Sequence, residues 1–394
     1  MPHIYIREED NTTASADDDY NVVYVPIVGG SHKDLPDKPL TTVDELEEYA
    51  IGRLSEDPLT HNIGYAYSKG LIELGLPVLP EIVLSNDTID WDKLTDKGLY
   101  SIKFLTAGGL ALPTNDMKKM LAAAAKRGDC IALLDHAKEI TPASDETYAE
   151  AVRVSLGLSD GAVAGNLVND ANLKFGAAYS PWCSFDGFEK EMPPSFAALA
   201  AYANSVKSNP NWYAAAGKSR GTIPGINKTL HEYGDAECNS LQARAIKENG
   251  DFDDAKDNTG IAINPITYIR AFGDYVVWGN RTLIKNDGGL TASSFLNIRN
   301  LCCDIKKELY AAAREFTFEQ NGDILWVNFS ARIRPLLDKA LSGGGIKGYK
   351  LIKEETNKRG RLKARVKIVP IEAVEDFDLT LEMTDSIETV DESI

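Results

Sequence analysis

Asp274-Tyr275-Val276-Val277-Trp278-Gly279-Asn280-Arg281-Thr282-Leu283, Phe295-Leu296-Asn297-Ile298-Arg299-Asn300-Leu301 and Phe318-Glu319-Gln320-Asn321-Gly322-Asp323-Ile324-Leu325-Trp326 fall in one stretch, residues 261–383. It reads as an aromatic strand pair (266–272 and 275–278), two amphipathic helices and two alternating strands. In the first helix Ile298, Leu301, Ile305, Leu309 and Ala312 recur at steps of three and four, which sets one apolar stripe against a core. The second, over 323–341, buries Trp326, Phe329, Ile333, Leu336 and Ala340; Pro335 is expected to kink or divide it, and Gly343 to Gly345 end it. Leu362, Ala364, Val366 and Ile368 alternate with Lys363, Arg365 and Lys367, and Phe377, Leu379, Leu381 and Met383 with Asp378, Thr380 and Glu382. Both are strands with one apolar face. The stretch carries no catalytic constellation, and its aromatic side chains, Tyr275, Trp278, Phe295, Phe316, Phe318 and Trp326, are expected to pack a core.

Upstream, residues 3–6 and 21–28 are strand-like around an acidic, turn-rich segment, the pattern of an extended arm leading into a domain. Thr42 with Glu45 is a capping box that opens a helix through Leu46, Tyr49 and Ala50. To about residue 161 the elements alternate: helix 63–74, strands 81–84 and 99–105, helix 116–126, strand 130–134, helix 145–156. Such alternation predicts an α/β layer domain. The proline-bearing loops of 160–194 mark a boundary, after which Pro194 starts a small-residue helix over 195–206. The expected fold is mixed α/β in two domains with extended N- and C-terminal strand arms: arm 1–25, outer domain 26–180, inner domain 181–375, arm 376–394.

With 394 residues and 43% hydrophobic content, the chain can bury a core in each of two domains. A net charge of -17 argues against nucleic-acid binding as the main role. The five cysteines, at 130, 183, 238, 302 and 303, show no Cys-x-x-Cys spacing and read as reduced thiols in an intracellular assembly. No apolar run reaches the ~18 residues of a membrane span, and the first 19 residues are too acidic for a signal peptide. Charge is sorted locally: residues 332–367 hold twelve basic and three acidic residues, whereas 372–392 hold nine acidic and no basic ones. Solvated faces explain such runs in an ordinary monomer. A basic face meeting the acidic segment of another subunit explains them in an open head-to-tail assembly.

Motifs for chemistry fail on context. Gly157-Leu158-Ser159-Asp160-Gly161 matches a hydrolase nucleophile elbow, but it follows a predicted helix where the elbow needs a strand. An α/β hydrolase using Ser159 is the alternative reading. Gly217-Lys218-Ser219 lacks the earlier glycine of a phosphate loop, because Trp212 stands there. Asp251, Asp253 and Asp257 lack the calcium loop's turn glycine and closing glutamate, replaced by Lys256 and Ala262. Histidines 3, 32, 61, 136 and 231 show no ligand spacing. No enzyme activity, cofactor or metal is expected.

In order and spacing, Ser180-Pro181-Trp182, Pro193-Pro194-Ser195, the 217–225 glycines, Ile263-Asn264-Pro265-Ile266, Val277 to Leu283, Asn297-Ile298-Arg299, Phe318 to Asn321 and Ile368-Val369-Pro370 resemble the conserved half of contractile-tail sheath proteins. Weaker matches lie at 24–30, 39–49 and 127–135; Asn280 where alanine is common, Pro335 and the lysines after Gly345 depart from the pattern. The resemblance implies a structural subunit of a phage or phage-tail-like particle. Such subunits stack as hexameric rings around an inner tube and contract without ATP to drive it through a bacterial envelope. It implies a helical homo-oligomer with an inner tail tube protein, baseplate and tail terminator proteins as partners. Nucleic acid and membrane insertion have no part, and assembly takes place in the host cytoplasm. Read onto this chain, Ile4, Tyr5, Ile6, Val22, Val23, Phe377, Leu379, Leu381 and Met383 would pair with neighbouring subunits, and Arg332, Arg334 and Lys339 would meet the tube.

Overall fold

The computed structural model describes residues 21–31, 34–54, 59–84, 88–112, 114–144, 146–157, 170–244, 260–285, 290–320, 322–355 and 361–375. Its centre is a seven-stranded sheet in the order β2 (Val78–Leu84), β1 (Val23–Gly29), β3 (Phe104–Leu105), β4 (Ile131–Leu134), β5 (Gly176–Ser180), β8 (Asn264–Ile269) and β9 (Asp274–Val277). Every pairing is parallel except that of β8 with β9. Alternate residues feed opposite cores, as the pleat requires. Val23, Val25, Ile27, Ile131 and Leu133 join one core, and Val22, Tyr24, Ala132 and Leu134 the other. Helices cover both faces, so the strands are apolar almost throughout.

The first core is closed by α1 (Val43–Ala50), α2 (Ile63–Glu73) and α6 (Pro194–Val206). The Thr42–Glu45 capping box opens α1, and Asn62 caps α2 by accepting from the amides of Gly64 and Tyr65. Helix α6 begins at Pro194 as expected, but its N-cap Pro193 offers no side-chain acceptor. Asp135, at the end of β4, supplies one across space, taking the Ser195 amide at 2.8 Å and its hydroxyl at 2.7 Å. The second core is closed by α3 (Thr114–Arg127), α4 (Tyr148–Ser155) and α8 (Asp235–Leu241); the short helices α5 (Asp170–Leu173) and α7 (Gly217–Arg220) and the antiparallel pair β6 (Cys183–Phe185) and β7 (Ile226–Thr229) fill the connections.

A third unit stands beside the sheet. Helices α9 (Leu296–Glu315) and α10 (Asp323–Ser342) pack around Leu301, Ile305, Phe329, Ile333 and Leu337 with Trp212, and carry the hairpin β10 (Ile346–Glu354) with β11 (Lys363–Pro370). Trp212 donates from Nε1 to the Gly343 carbonyl at 3.0 Å, which seats the turn between α10 and β10. Lys103 on the sheet and Asp304 on α9, both buried, join the unit to the body at 2.8 Å; Asn211 donates to the same carboxylate at 2.6 Å.

The α/β class and most elements follow the sequence; four expectations change. Val22 and Val23 are not arm residues: both are buried, and Val23 pairs with Val78 and Phe104 inside the sheet. The sheet does not break at residue 180, because β5 continues directly to β8 and one core draws on both sides of that point. Pro335 does not divide α10, which is continuous over 20 residues. Residue 331, whose carbonyl loses its helical donor there, lies on the exposed side of the helix, so the unpaired carbonyl is not buried. Finally, of the aromatic cluster, Phe295 is buried but Trp278 is 39% and Phe318 83% exposed. Ile4, Tyr5, Ile6, Phe377, Leu379, Leu381 and Met383 lie outside the described residues, as do Ser159, Asp251, Asp253 and Asp257.

Candidate assembly surfaces

The hairpin β10–β11 forms a two-stranded sheet of its own, with no third strand among the described residues. Its register sorts the side chains. Tyr349, Leu351, Val366 and Ile368 face α10, where Lys353 reaches Asp323 at 3.0 Å and the Tyr349 hydroxyl reaches Asp338 at 2.6 Å. Lys350, Glu354, Lys363, Arg365 and Lys367 share the outer face. Glu354 is held below the usual carboxylate range by its hydrogen bonds with Lys363 and Arg365, whereas Lys350 and Lys367 stand directly opposite each other. Like charges across a strand pair are unfavourable unless an anionic partner lies over them. Among the described residues neither edge of this short sheet is paired with a third strand, and an unpaired edge beside a cationic face has the chemistry to take an added acidic strand.

The three basic residues expected to meet a tube do not form one patch. At 100° per residue Arg332 and Lys339, seven apart, share a side of α10, and Arg334 lies roughly opposite Arg332. Arg332 is spoken for within the chain, donating to Glu315 at 3.3 Å and Glu308 at 3.4 Å on α9. The periodicity that predicted α10 already contained this separation. Less legible was the exposed apolar surface of Phe318, Ile324 and Val327 around the start of that helix.

The places where an α/β fold does chemistry are filled by the chain itself. Strand order reverses between β1 and β3, the position of the ligand crevice in open parallel sheets. There Asn62 donates to the Val28 carbonyl at 2.7 Å. A Cβ on Gly64 or Gly108 would lie 2.8 or 2.6 Å from the Pro26 carbonyl oxygen, so backbone already packs against backbone. Gly157 ends helix α4 with φ +68°, so the Gly-x-Ser-x-Gly run starts from a helix end and not from a strand. A serine–histidine pair that sequence reading missed does exist. The Ser180 Oγ lies 2.8 Å from His136 Nε2 and 2.6 Å from the Tyr233 hydroxyl, and the Ala137 carbonyl 2.6 Å from Nδ1 fixes the proton there. Its tautomer suits a base, but Ser180 is fully buried and the Trp182 indole closes over the His136 carbonyl at 2.9 Å. The pair ties the ends of β4 and β5 together. Among the described residues no cluster of three or more His, Cys, Asp or Glu could hold a metal, and no helix is long and apolar enough to cross a membrane.

Adjacent Asp135 and His136 give this corner opposed pH responses. Burial pushes the Asp135 carboxyl up to about 7 against the pull of Ser195, and pushes the His136 imidazole down to about 4 against the Ala137 carbonyl. Stability held by neutral His136 is complete above 6.5 and drains as pH falls toward 4; that held by protonated Asp135 is complete below 3.8 and drains as pH rises toward 7. At about 1.4 kcal/mol per pKa unit these amount to roughly 3.5 kcal/mol for His136 and roughly 4.5 kcal/mol for Asp135, and between pH 4 and 6.5 they largely offset. Relative to the wild type, His136→Gln should gain about 2–3 kcal/mol on going from pH 7 to 4.5, and Asp135→Asn should lose a similar amount. Urea unfolding at four pH values measures this; three parallel profiles would rule it out.

No protein-family model matches the chain. In sequence, 175 residues, 44% of the chain, are 28% identical to the tail sheath protein of Vibrio phage KVP40, and the match spans 22% of that relative's length. In fold, the sheath complex of the extracellular contractile injection system PVC, in its contracted state, contains a chain that matches with TM-score 0.67 and 19% identity over 98% of both chains. A chain of the anti-feeding prophage baseplate matches with TM-score 0.64 and 16% identity, covering 98% of this chain and 99% of that one. The contracted helical sheath of the same prophage gives 0.59 and 16%, covering 97% and 99%. Over nearly its whole length the chain has the fold of contractile-sheath proteins, and over part of it the sequence of a phage tail sheath protein is similar.

Proposed function

We propose that the protein is a structural, non-enzymatic subunit of a contractile tail sheath. It polymerises as stacked hexameric rings around an inner tube, between a baseplate and a tail terminator, and contracts to drive the tube through a bacterial envelope. Assembly takes place in the host cytoplasm. The observation that carries this reading is the open, cationic β10–β11 sheet on a chain with the sheath fold. The acidic segment 376–394 of one copy has the charge to cover Lys350 and Lys367 of the next, and an added strand satisfies the open backbone edge. The segment before residue 21 is the second donor, and the exposed basic side chains of α10 are the candidate tube contact.

Contraction needs no nucleotide in this account. The extended lattice is metastable, and the contracted one buries more subunit surface, which is the favourable term. Negative-stain microscopy of the purified protein should show tubes or ring stacks. A uniform monomer with esterase activity lost on Ser159→Ala would favour the hydrolase instead.

A further inference from the structure

Three sequence motifs converge on one polar node at the edge of the sheet. Asn264, from the first, accepts the Arg281 amide at 2.7 Å and donates to the Arg281 carbonyl at 2.9 Å, so one side chain clamps both backbone groups of the second motif. A Cβ on Gly279 would come 2.7 Å from the Asn264 side chain, which explains a glycine there. Asn280 donates to Asn297 of the third motif at 2.8 Å and accepts its amide at 3.1 Å. The backbone at Arg281 is thus fixed from two sides before its side chain is considered.

That side chain is 2% exposed. Its guanidinium lies 5.1 Å from the Phe295 ring centre and donates to the carboxylate of Glu375, 94 residues further on, whose side chain is 16% exposed. A guanidinium removed from water requires a counter-charge, and here the chain beyond β11 delivers it. Strand β11 ends at Pro370, the Ile371 amide donates to the Gly345 carbonyl at 3.1 Å, and the chain then leaves the hairpin for Glu375.

We propose that Arg281 moors the chain at Glu375, so that residues 376–394 depart from the α/β body beside β8 and not from the hairpin. The role given to the moored segment rests on reading it as a strand donated to a neighbouring copy. Mooring withholds residues 371–375 from its reach, roughly 16 Å at about 3.3 Å per residue. It also carries any pull on the segment into the seven-stranded sheet, where it cannot peel β11 from β10. Arg281 is therefore a positioning residue for assembly.

The test uses the full chain with Glu375→Ala, which leaves the node intact, and Arg281→Gln alongside it. In dilute subunit, amide exchange across residues 371–375 should quicken at least tenfold in Glu375→Ala, with the seven-stranded sheet unchanged. Unchanged exchange would overturn the mooring. Tubes of the variant should need at least a tenfold higher concentration or show altered ring spacing; quickened exchange with wild-type tubes would overturn the role in reach. If the wild type itself forms no tubes, the sheath reading fails, and the exchange result still decides the mooring. Arg281→Gln should match Glu375→Ala in exchange at 371–375 if it folds; should it not, Glu375→Ala decides alone.

Discussion

Asp304→Ala should destabilise the subunit by about 3–5 kcal/mol, the cost typical of breaking a buried ion pair from one side. Lys103 is fully buried and Asp304 nearly so, at 0% and 11% side-chain exposure, so solvent screens the pair little. Burial alone would lower the Lys103 pKa; the Asp304 charge overrides it and raises the ammonium above its ordinary value. Remove the carboxylate and a desolvated ammonium remains, with the Tyr202 ring 5.6 Å away and the Asn211 amide short of its acceptor. The lysine must then shed its proton or draw in water, and α9 must lift from the sheet to admit it. Lys103→Met with Asp304→Leu removes both charges and should recover most of the loss, because well-packed apolar pairs replace buried ion pairs at little cost. Urea unfolding of the three proteins measures it, and a single variant within about 1 kcal/mol of wild type would refute it.

How far the sequence discloses the fold depends on whether the governing signal is local. Helices α1, α9 and α10 and strand β11 announce themselves through a capping box or through spacing of 3.6 or 2, and β4 through a short, continuous apolar run. Strand β10 does not: in Ile346 to Glu354 the lysines and Gly348 blur the alternation, and only its pairing with β11 makes it a strand. Residues 22–28 carried a usable sign, since an apolar run with no polar alternation belongs to a strand buried on both faces, not to an exposed arm. The supposed boundary at residue 180 came from proline texture, which reports on turns and says nothing about sheet order. Lys103–Asp304 and Arg281–Glu375 join residues 201 and 94 positions apart. Neither leaves a periodic trace, so the sequence does not mark these charges as internal. The cationic face of the hairpin was hidden for the same reason: the basic run was visible, but which cations share a face awaited the register.

Deleting residues 376–394, or residues 1–19, should leave a folded monomer that no longer polymerises at wild-type concentrations. Neither cut removes a described residue: Val22 and Val23, inside the sheet, and Glu375 are all retained, so each variant should unfold at the wild-type urea midpoint. What is lost lies between subunits. An added strand making roughly four backbone hydrogen bonds at about 1 kcal/mol each accounts for about 4 kcal/mol, near a thousandfold in the concentration at which assembly begins. In the proposed assembly the acidic segment would add attraction to Lys350 and Lys367, and that part would be screened by salt. Wild-type assembly should therefore weaken as ionic strength rises, and Lys350→Glu with Lys367→Glu should impair it in the same direction as the C-terminal deletion while leaving the monomer folded. Sedimentation and negative-stain microscopy across a concentration series separate these cases. Tubes formed by both truncations at the wild-type concentration would remove the terminal segments from the assembly mechanism. Tubes lost only in the C-terminal deletion would confine the role to the acidic strand and the hairpin that receives it.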